Sequence, residues 1–514
     1  MKTNTTSRTR TSARILAGSI AALLAAQSAF AQNTGNNYTG APTGSLLVTG
    51  NWSLGASPLV TNDAVFPLGA GGGIRTLSAG DLTVGSFNVV ANSNTFSIRN
   101  DTSTSTNSNL TLGGVGNLGN SVSGTAADLF YVASGSTFNI IGANGGGGTG
   151  VLNLILGQSG NFNLAGTAAS TVSAVISDGT SPNALTKTGT GTLTLSSNNT
   201  YTGATTVNAG TLKSGVVSVA NVSGAFGNNS AVTLANVAGA TLNITGFNTQ
   251  IGSLTGGGAA GGNVTLGAAT LTVGGDNTSP AAYVGIMSGT GGLTKIGTGT
   301  LTLSGANTYS GTTTVSAGTL LANNTTGSGT GGNSVIVGAA GTLGGTGTIT
   351  GVVTVDGMLS PGNSIESLAT GTVNLNTGST LDYEASPVDA NYADLLDITG
   401  NLNLSGTVAL DLVGADLANP AWGLVTISIA SYTGTWNSGT FASWLDDTAQ
   451  SFGGNSWTIN YNDIVAGINF TSEQPAPGTQ NFVTLTQTVP EPSALLSLLG
   501  GSALLLLRRR RAAV

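Results

Sequence analysis

Short runs of alternating apolar and polar residues, separated by glycine-rich stretches, recur along most of the chain. Such runs are typical of β-strands, because successive side chains point to opposite faces and only one face is buried. The alternation predicts strands at Thr192–Leu195, Thr205–Val207, Val232–Leu234, Leu242–Ile244, Val264–Leu266, Leu271–Val273, Leu402–Leu404, Val408–Leu412 and Trp457–Tyr461. Helical periodicity does not occur between the two chain ends, so the pattern predicts an all-β body.

Two segments of this body are copies of one another. Residues 185–213 read LTKTGTGTLTLSSNNTYTGATTVNAGTLK, residues 293–321 read LTKIGTGTLTLSGANTYSGTTTVSAGTLL, and about three quarters of the aligned positions are identical. Many short strands with frequent glycine fit a sandwich, a barrel or a solenoid. The length and the repetition favour a solenoid, in which stacked coils share one continuous core.

Glycine and asparagine mark the turns of the repeat. We expect positive backbone φ angles at four glycines, namely Gly189, Gly191, Gly203 and Gly210. Side-chain amides at turns can bond the backbone of neighbouring coils, and we expect this of Asn198, Asn199 and Asn307.

The repeat resembles a known family. Its motifs G-T-G-T-L-T-L-S, N-T-Y-x-G and V-x-A-G-T-L are similar to the autotransporter-associated β-strand repeat of bacterial surface proteins. The resemblance implies a right-handed parallel β-helix, which we assign to residues 32–380. Residues 359–365, LSPGNSI, also resemble a coil found near the end of such passenger domains.

The N-terminal residues 1–31 have the pattern of a secretory signal peptide. A basic stretch with Lys2 and Arg8 precedes a short apolar run, and Ala29 and Ala31 supply the small residues of a cleavage site. The pattern predicts a short apolar helix, cleavage by signal peptidase after Ala31, and export of the remaining chain.

The C-terminal residues 489–514 form a second sorting signal. Pro490, Glu491 and Pro492 precede an apolar run, and a basic cluster follows it, consisting of Arg508, Arg509, Arg510 and Arg511. Arginines stay on the cytoplasmic side of such segments. This order resembles the PEP-CTERM signal, which implies an apolar helix held briefly in the inner membrane and then cleaved by an exosortase-type processing enzyme. A simple tail anchor is the alternative.

Composition changes after residue 380. Four of the five tryptophans lie beyond it, acidic residues become frequent, and Lys and Arg do not occur before Arg508. A solenoid end exposes its core and its strand edges, which larger side chains can cover. We therefore predict a β-rich cap at 381–472, followed by a linker at 473–488 that contains two prolines.

Charge and residue usage exclude several functions. Eight of the 13 basic residues lie in the two terminal segments, so the exported body is more acidic than the whole-chain net charge of −7. An acidic surface repels phosphates, which argues against nucleic-acid binding. The chain has no cysteine and no histidine. Disulfides, Ser-His-Asp sites and histidine-ligated zinc are therefore excluded.

One acidic group is a candidate calcium site. Asp389, Asp394 and Asp397 lie close in sequence, and Ca²⁺ prefers carboxylate and carbonyl oxygens on a flexible loop. The spacing is not that of an EF-hand, and the favoured interpretation is a solvated loop. We therefore expect no cofactor, with Ca²⁺ as the alternative.

Candidates for enzymatic or sugar-binding chemistry are sparse. A polysaccharide lyase needs a basic proton abstractor, for which Arg75 and Arg99 are the N-terminal candidates, although the favoured interpretation is that both are surface ion-pairing or hydrogen-bonding residues. Lys187 and Lys295 occupy the same position of the two repeats, either as solvated strand ends or as ligands for anionic sugars. The C-terminal tryptophans fit core packing at least as well as sugar stacking.

The favoured function is an exported, non-enzymatic surface or matrix protein that makes many weak contacts with polysaccharide or neighbouring cells. The resemblance to PEP-CTERM proteins implies an exopolysaccharide or biofilm setting. The alternatives are a β-helical polysaccharide lyase or hydrolase and a passive coat or spacer protein.

Overall fold

The structure, a computed structural model, describes residues 36–37, 63–66, 73–77, 80–89, 95–100, 106–113, 128–143, 149–412, 415–469 and 480–488. Within these ranges every regular element is a β-strand, which confirms the all-β prediction. The described part of the chain contains no helix with the length and apolar character needed to cross a membrane. Both expected sorting segments, 1–31 and 489–514, lie outside the described residues.

The described residues form 41 short strands. The first are β1 (Asn36–Asn37), β2 (Asp63–Phe66), β3 (Gly73–Leu77), β4 (Leu82–Val84), β5 (Ser86–Val89), β6 (Thr95–Asn100), β7 (Ser108–Leu112), β8 (Asp128–Val132), β9 (Thr137–Ile141), β10 (Leu152–Leu156), β11 (Gly160–Leu164), β12 (Ala169–Val172), β13 (Val175–Asp178) and β14 (Leu185–Thr188). Next come β15 (Thr192–Leu195), β16 (Thr205–Val207), β17 (Thr211–Ser214), β18 (Val232–Leu234), β19 (Thr241–Asn243), β20 (Thr249–Ile251), β21 (Leu254–Gly256), β22 (Asn263–Gly267), β23 (Leu271–Val273), β24 (Met287–Gly289), β25 (Leu293–Lys295), β26 (Thr300–Leu303), β27 (Thr313–Ala322) and β28 (Val335–Gly345). The last are β29 (Thr348–Ile349), β30 (Val353–Val355), β31 (Met358–Pro361), β32 (Ser367–Thr370), β33 (Val373–Leu375), β34 (Thr380–Asp382), β35 (Leu395–Ile398), β36 (Leu402–Leu404), β37 (Ala409–Asp411), β38 (Thr426–Tyr432), β39 (Ala449–Phe452), β40 (Asn455–Asp463) and β41 (Asn481–Thr488).

These strands stack as a parallel β-solenoid. Each long sheet takes every second or third strand in sequence order, as in β24-β22-β19-β17-β15-β12-β9-β6-β3, and its neighbours pair in parallel. In such a stack the backbone groups of one coil bond those of the next, and each coil buries its apolar face against its neighbours. The predicted solenoid is therefore present in the described residues.

One column of side chains shows how the core is built. Leu193 pairs with Leu212, Leu212 with Leu242, and Leu242 with Val264, and the column continues to Met287. All five side chains are fully buried. The intervening polar residues point outward, as the alternating sequence predicted.

The turn glycines divide into two kinds. Gly189 and Gly210 have φ angles of 69° and 63°, which confirms the prediction for these two. Gly191 and Gly203 do not have positive φ angles, so the prediction was wrong for these two glycines. A Cβ on Gly191 would lie 2.2 Å from the carbonyl oxygen of Ala168, and a Cβ on Gly203 would lie 2.2 Å from that of Asn183. Close packing against the preceding coil therefore requires glycine at both positions.

The arginine expected on the surface lies in the core. Arg75 is 1% exposed, and its guanidinium lies over the ring of Phe96, with Cζ 5.6 Å from the ring centroid. A guanidinium in this position gains a cation–π interaction. The interpretation of Arg75 as a surface ion-pairing residue was therefore wrong.

The boundary expected at residue 380 is not a boundary of the stack. Parallel pairing continues from β33 to β36, from β34 to β37 and from β35 to β38. Among the described strands, antiparallel pairing between whole strands appears only afterwards, where β38, β41, β40 and β39 lie side by side. The acidic region 381–472 thus begins as further coils and ends as an antiparallel cap.

The linker expected at 473–488 requires a second correction. Residues 481–488 form β41, which lies between β38 and β40 in the cap sheet. Phe482, Val483 and Leu485 are buried. The prolines at 475 and 477 suggested an extended tether, but the apolar residues that follow belong to the core.

The cap tryptophans pack against one another and against tyrosine. Trp457 is fully buried and meets Trp422 edge to face, with ring centroids 5.4 Å apart. Trp436 stacks on Tyr461 at 5.2 Å. Each contact buries aromatic surface inside the cap, so core packing accounts for these tryptophans.

Candidate functional site

The two repeat lysines are buried inside the coil rather than solvated. Lys187 lies in β14 with 0% exposure, and its Nζ donates to the carbonyl oxygens of Thr188, Gly189 and Ala209 at 2.7, 2.7 and 3.2 Å. Three carbonyls match the three N–H donors of an ammonium group. Both interpretations of this residue, as a solvated strand end and as a sugar ligand, were therefore wrong.

Lys295 in β25 has the same surroundings. Its Nζ donates to the carbonyl oxygens of Ile296, Gly297 and Ala317 at 2.7, 3.0 and 3.2 Å. Each lysine thus ties its own turn to the turn of the next coil. The signal was present in the sequence, because alternation from Leu185 and Leu293 places both lysines on the inward face.

Burial changes the ionisation of both lysines. Desolvation lowers the pKa of Lys187 to about 7. Desolvation also lowers the pKa of Lys295, and the negative charge of Asp276 acts in the opposite direction. The amines lie in the coil interior, where they are structural donors.

Asparagine joins three successive coils in each repeat. Asn199 is buried, its Oδ1 accepts from the backbone N–H of Ile176 at 2.8 Å, and its Nδ2 donates to the carbonyl of Ala225 at 2.7 Å. Asn307 bonds Met287 and Gly329 in the same way. The prediction of inter-coil amide bonds is confirmed for both residues.

A tyrosine and a threonine of each repeat form a buried hydrogen-bonded pair. The hydroxyl of Tyr201 lies 2.8 Å from Oγ1 of Thr205, which lies 2.9 Å from Oγ of Ser230. Tyr309 and Thr313 are paired equivalently in the second repeat. The shared lysines and asparagines therefore bond backbone groups of adjacent coils, and the shared hydroxyls bond one another, so these polar residues hold the coils together.

The best-formed concave site lies farther along the chain. We name it the coil groove; it has a volume of about 220 Å³ and is lined by Thr319, Leu321, Thr342, Gly344, Ser360, Pro361, Gly362, Asn363, Ser364 and Glu384. The lining residues come from β27, β28, β31, the loop after β31 and the segment after β34. The sequence resemblance had marked residues 359–365, but it gave no reason to connect them with Thr319 or Glu384.

Register brings the groove residues together. Thr319 pairs with Thr342, and Gly344 pairs with Ser360. Oγ of Ser360 donates to Oδ2 of Asp382 at 3.0 Å. Hydroxyl groups from successive coils thus follow one another along the stacking direction.

One buried carboxylate fixes two walls of the groove. Asp394 is 1% exposed; its Oδ1 accepts from the backbone N–H of Glu366 at 3.1 Å, and its Oδ2 accepts from that of Glu384 at 2.8 Å. Gly362 exchanges backbone hydrogen bonds with Gly345 at 2.9 and 3.2 Å. These bonds attach the loop 361–366 to the adjacent coils.

Burial also raises the pKa of Asp394 to about 8. The two backbone donors act against this shift, and the charges of Glu384 and Asp382 add to it. Asp394 is therefore a structural acceptor whose charge changes near neutral pH.

The three aspartates considered for calcium do not share a site. Asp389 accepts from the backbone of Asn391 at 2.9 Å, and Asp397 accepts from Ser431 at 2.6 Å, whereas Asp394 serves the groove walls. In the part of the chain that the structure describes, no group of three or more acidic residues is placed to hold a metal ion.

A second cleft lies in the cap. It has a volume of about 310 Å³ and is lined by Trp422, Gly423, Leu424, Gly454, Asn455, Gln487 and Thr488. Trp422, the aromatic residue of this cleft, is 5% exposed, and its indole Nε1 donates to the carbonyl of Asp416 at 2.7 Å. This ring therefore offers little free face for stacking on a ligand.

Comparison with known proteins places the repeats in a described family. The passenger-associated-transport-repeat matches residues 185–213 and 293–322, the same two segments found by internal comparison. The chain thus carries two such repeats.

The chain is also similar to an adhesin of the autotransporter type. It is 38% identical over 264 residues to the adhesin BmaC autotransporter of Brucella suis biovar 1 (strain 1330). The alignment covers 49% of this chain and 7% of that protein, so the chain spans a small fraction of its relative's length.

Proposed function

We propose that this protein is an exported adhesive solenoid of the cell surface or the extracellular matrix. Passenger-associated transport repeats, parallel stacked coils and similarity to an autotransporter adhesin all support the proposal. The observation that carries it is that the repeat residues are used for stacking coils. The repeat therefore builds an extended surface, along which many weak contacts can add.

A non-enzymatic role is part of the proposal. The buried lysines and Arg75, together with most of the tryptophans, are occupied within the core. Adhesion requires a stable surface rather than a reactive group, and the adhesin similarity supports that reading. Polysaccharide of the surrounding matrix is the proposed partner.

The sorting route remains a proposal from the terminal sequences. Signal peptidase would cut after Ala31, and an exosortase-type enzyme would process the chain near Pro490, Glu491 and Pro492. Before processing, the C-terminal apolar segment would lie in the inner membrane with Arg508 to Arg511 on the cytoplasmic side. Intact mass of the protein recovered from outside the cell tests both cleavages.

An adhesion assay tests the function. Beads coated with the purified protein are applied to immobilised matrix polysaccharide and to whole cells, with albumin-coated beads as the control. We expect retention of the protein-coated beads without new reducing ends or unsaturated sugars in the medium. Release of such products would support the lyase or hydrolase alternative, and absence of retention would support a passive coat.

A further inference from the structure

We propose that the coil groove binds a segment of a neutral, hydroxyl-rich polysaccharide. This proposal rests on the adhesive function proposed above and names the ligand class of one site on the solenoid. The groove has a volume of about 220 Å³, below the range of about 300–1,000 Å³ that is usual for sites enclosing a whole small ligand, so it suits part of a longer molecule. It can accept a short stretch of a longer sugar chain.

The hydrogen-bonding groups of the groove match sugar hydroxyls. Thr319 and Thr342 each present a hydroxyl, which can both donate and accept, and Ser360, whose proton is donated to Asp382, presents an acceptor. Because Thr319 and Thr342 are paired across adjacent coils, their hydroxyls repeat at the strand spacing of about 4.8 Å. A ligand with hydroxyl groups repeating along its length can meet both coils at once.

The charge of the groove selects against acidic sugars. Glu384 supplies a carboxylate, which only accepts hydrogen bonds when ionised, and Asp382 lies next to Ser360. None of the described residues that line the groove is basic. An acidic sugar would bring its carboxylates towards Glu384 without a cation to compensate. A neutral sugar instead donates its hydroxyl protons to that acceptor.

The groove is formed before any ligand arrives. Asp394 fixes the loop at Glu366 and the strand end at Glu384, so little conformational entropy remains to be lost on binding. Gly344 keeps the floor low, because a Cβ there would lie 2.5 Å from the carbonyl oxygen of Ser360 and 3.2 Å from Leu321. A larger residue would raise the floor or displace its neighbours.

Calorimetric titration of the full protein tests the proposal. The probes are cellohexaose and laminarihexaose as neutral sugars, hexagalacturonate as an acidic sugar and a chitosan hexamer as a cationic sugar. We expect at least one neutral probe to bind more tightly than the charged ones. The E384Q variant should weaken it by about tenfold, because a charged acceptor is lost, and T342V by about fivefold. T194V, a change of the same kind in β15, should leave affinity unchanged.

Several outcomes would overturn the groove proposal: tighter binding of either charged probe, neutral binding that E384Q and T342V leave intact, or no binding of any probe. Thermal unfolding of each variant shows whether a loss reflects misfolding. The bead assay separates this proposal from the adhesive function. If E384Q beads adhere as well as wild-type beads, adhesion is retained and the groove is not its site.

Discussion

Lys187 donates a hydrogen bond from its Nζ to the backbone carbonyl of Ala209 in the next coil, at 3.2 Å. The same ammonium serves two carbonyls of its own turn. A residue type that ordinarily marks a solvated surface therefore joins two coils from the inside. Lys295 repeats the arrangement in the second copy.

Replacing this lysine with a residue of similar length should destabilise the solenoid. K187M leaves three inward carbonyls without their donor, and each unsatisfied buried group costs about 1–3 kcal/mol. We expect a loss of at least about 2 kcal/mol in the free energy of unfolding, measured by urea denaturation. K213M is the matched control, because Lys213 is half-buried and on the outer face. An equal loss of stability in both variants would contradict the proposed role of the hydrogen bonds from Lys187 to the three carbonyls.

The lowered pKa of Lys187 predicts how stability depends on pH. The unfolded lysine keeps its proton up to about pH 10.4, whereas the folded one loses it near pH 7. Between these values the unfolded state binds more protons, so the free energy of unfolding should rise with pH through this window. Below pH 7 the cost of burying the charge is fully present. Denaturation at pH 6 to 10 measures the rise, which K187M should reduce.

The raised pKa of Asp394 should make stability depend on pH in the opposite direction, and over a lower pH range. Its carboxyl keeps a proton to about pH 8 when folded, whereas the unfolded group ionises near pH 3.9. The folded state therefore binds more protons between these values, and stability should fall as pH rises from about 4 to 8. D394N removes the titration but replaces one acceptor by a donor. It should flatten this part of the profile while loosening the loop 361–366, which hydrogen exchange at Glu366 detects.

The hydrogen bonds of Asn199 to adjacent coils can be tested by comparison with its neighbour Asn198. N199A removes bonds to Ile176 and Ala225 and leaves both backbone groups buried, so a loss of about 1–3 kcal/mol is expected. N198A is the control, because Oδ1 of Asn198 has no hydrogen-bond partner. We expect no loss of stability from that change, because it removes a buried acceptor that makes no hydrogen bond. A similar loss in the free energy of unfolding at both positions would show that the inter-coil hydrogen bonds of Asn199 contribute little.

Deleting β41 should unfold the cap. A chain that stops at residue 479 loses the strand between β38 and β40 and exposes both edges, together with the apolar groups that β41 covers. We expect loss of the near-ultraviolet signal of Trp457 and a tendency to aggregate. A chain that stops at Thr488 is the control and should retain the signal. An unchanged signal in the shorter chain would support the original linker interpretation.

Much of the fold could be predicted from alternation alone. Strands such as Thr205–Val207 and Leu271–Val273 have the bounds expected from the sequence. Alternation fixes which side chains share a face, and near-identical copies indicate stacking, so a solenoid follows from local information. The inter-coil role of Asn199 was predictable for the same reason, since a turn residue recurs at each coil.

Tertiary structure decided the remainder, because contacts between coils join residues that are distant in sequence. Composition suggested that Lys187 is solvated and that residues 473–488 form a linker. The cost of unpaired backbone groups and exposed apolar edges instead places Lys187 in the core and residues 481–488 in the cap sheet. The coil groove also depends on register, which sets Thr319 beside Thr342 and fastens Glu384 to Asp394. The sequence by itself determined the strands and their buried faces; the stacking of coils determined which polar residues became structure and which line a site.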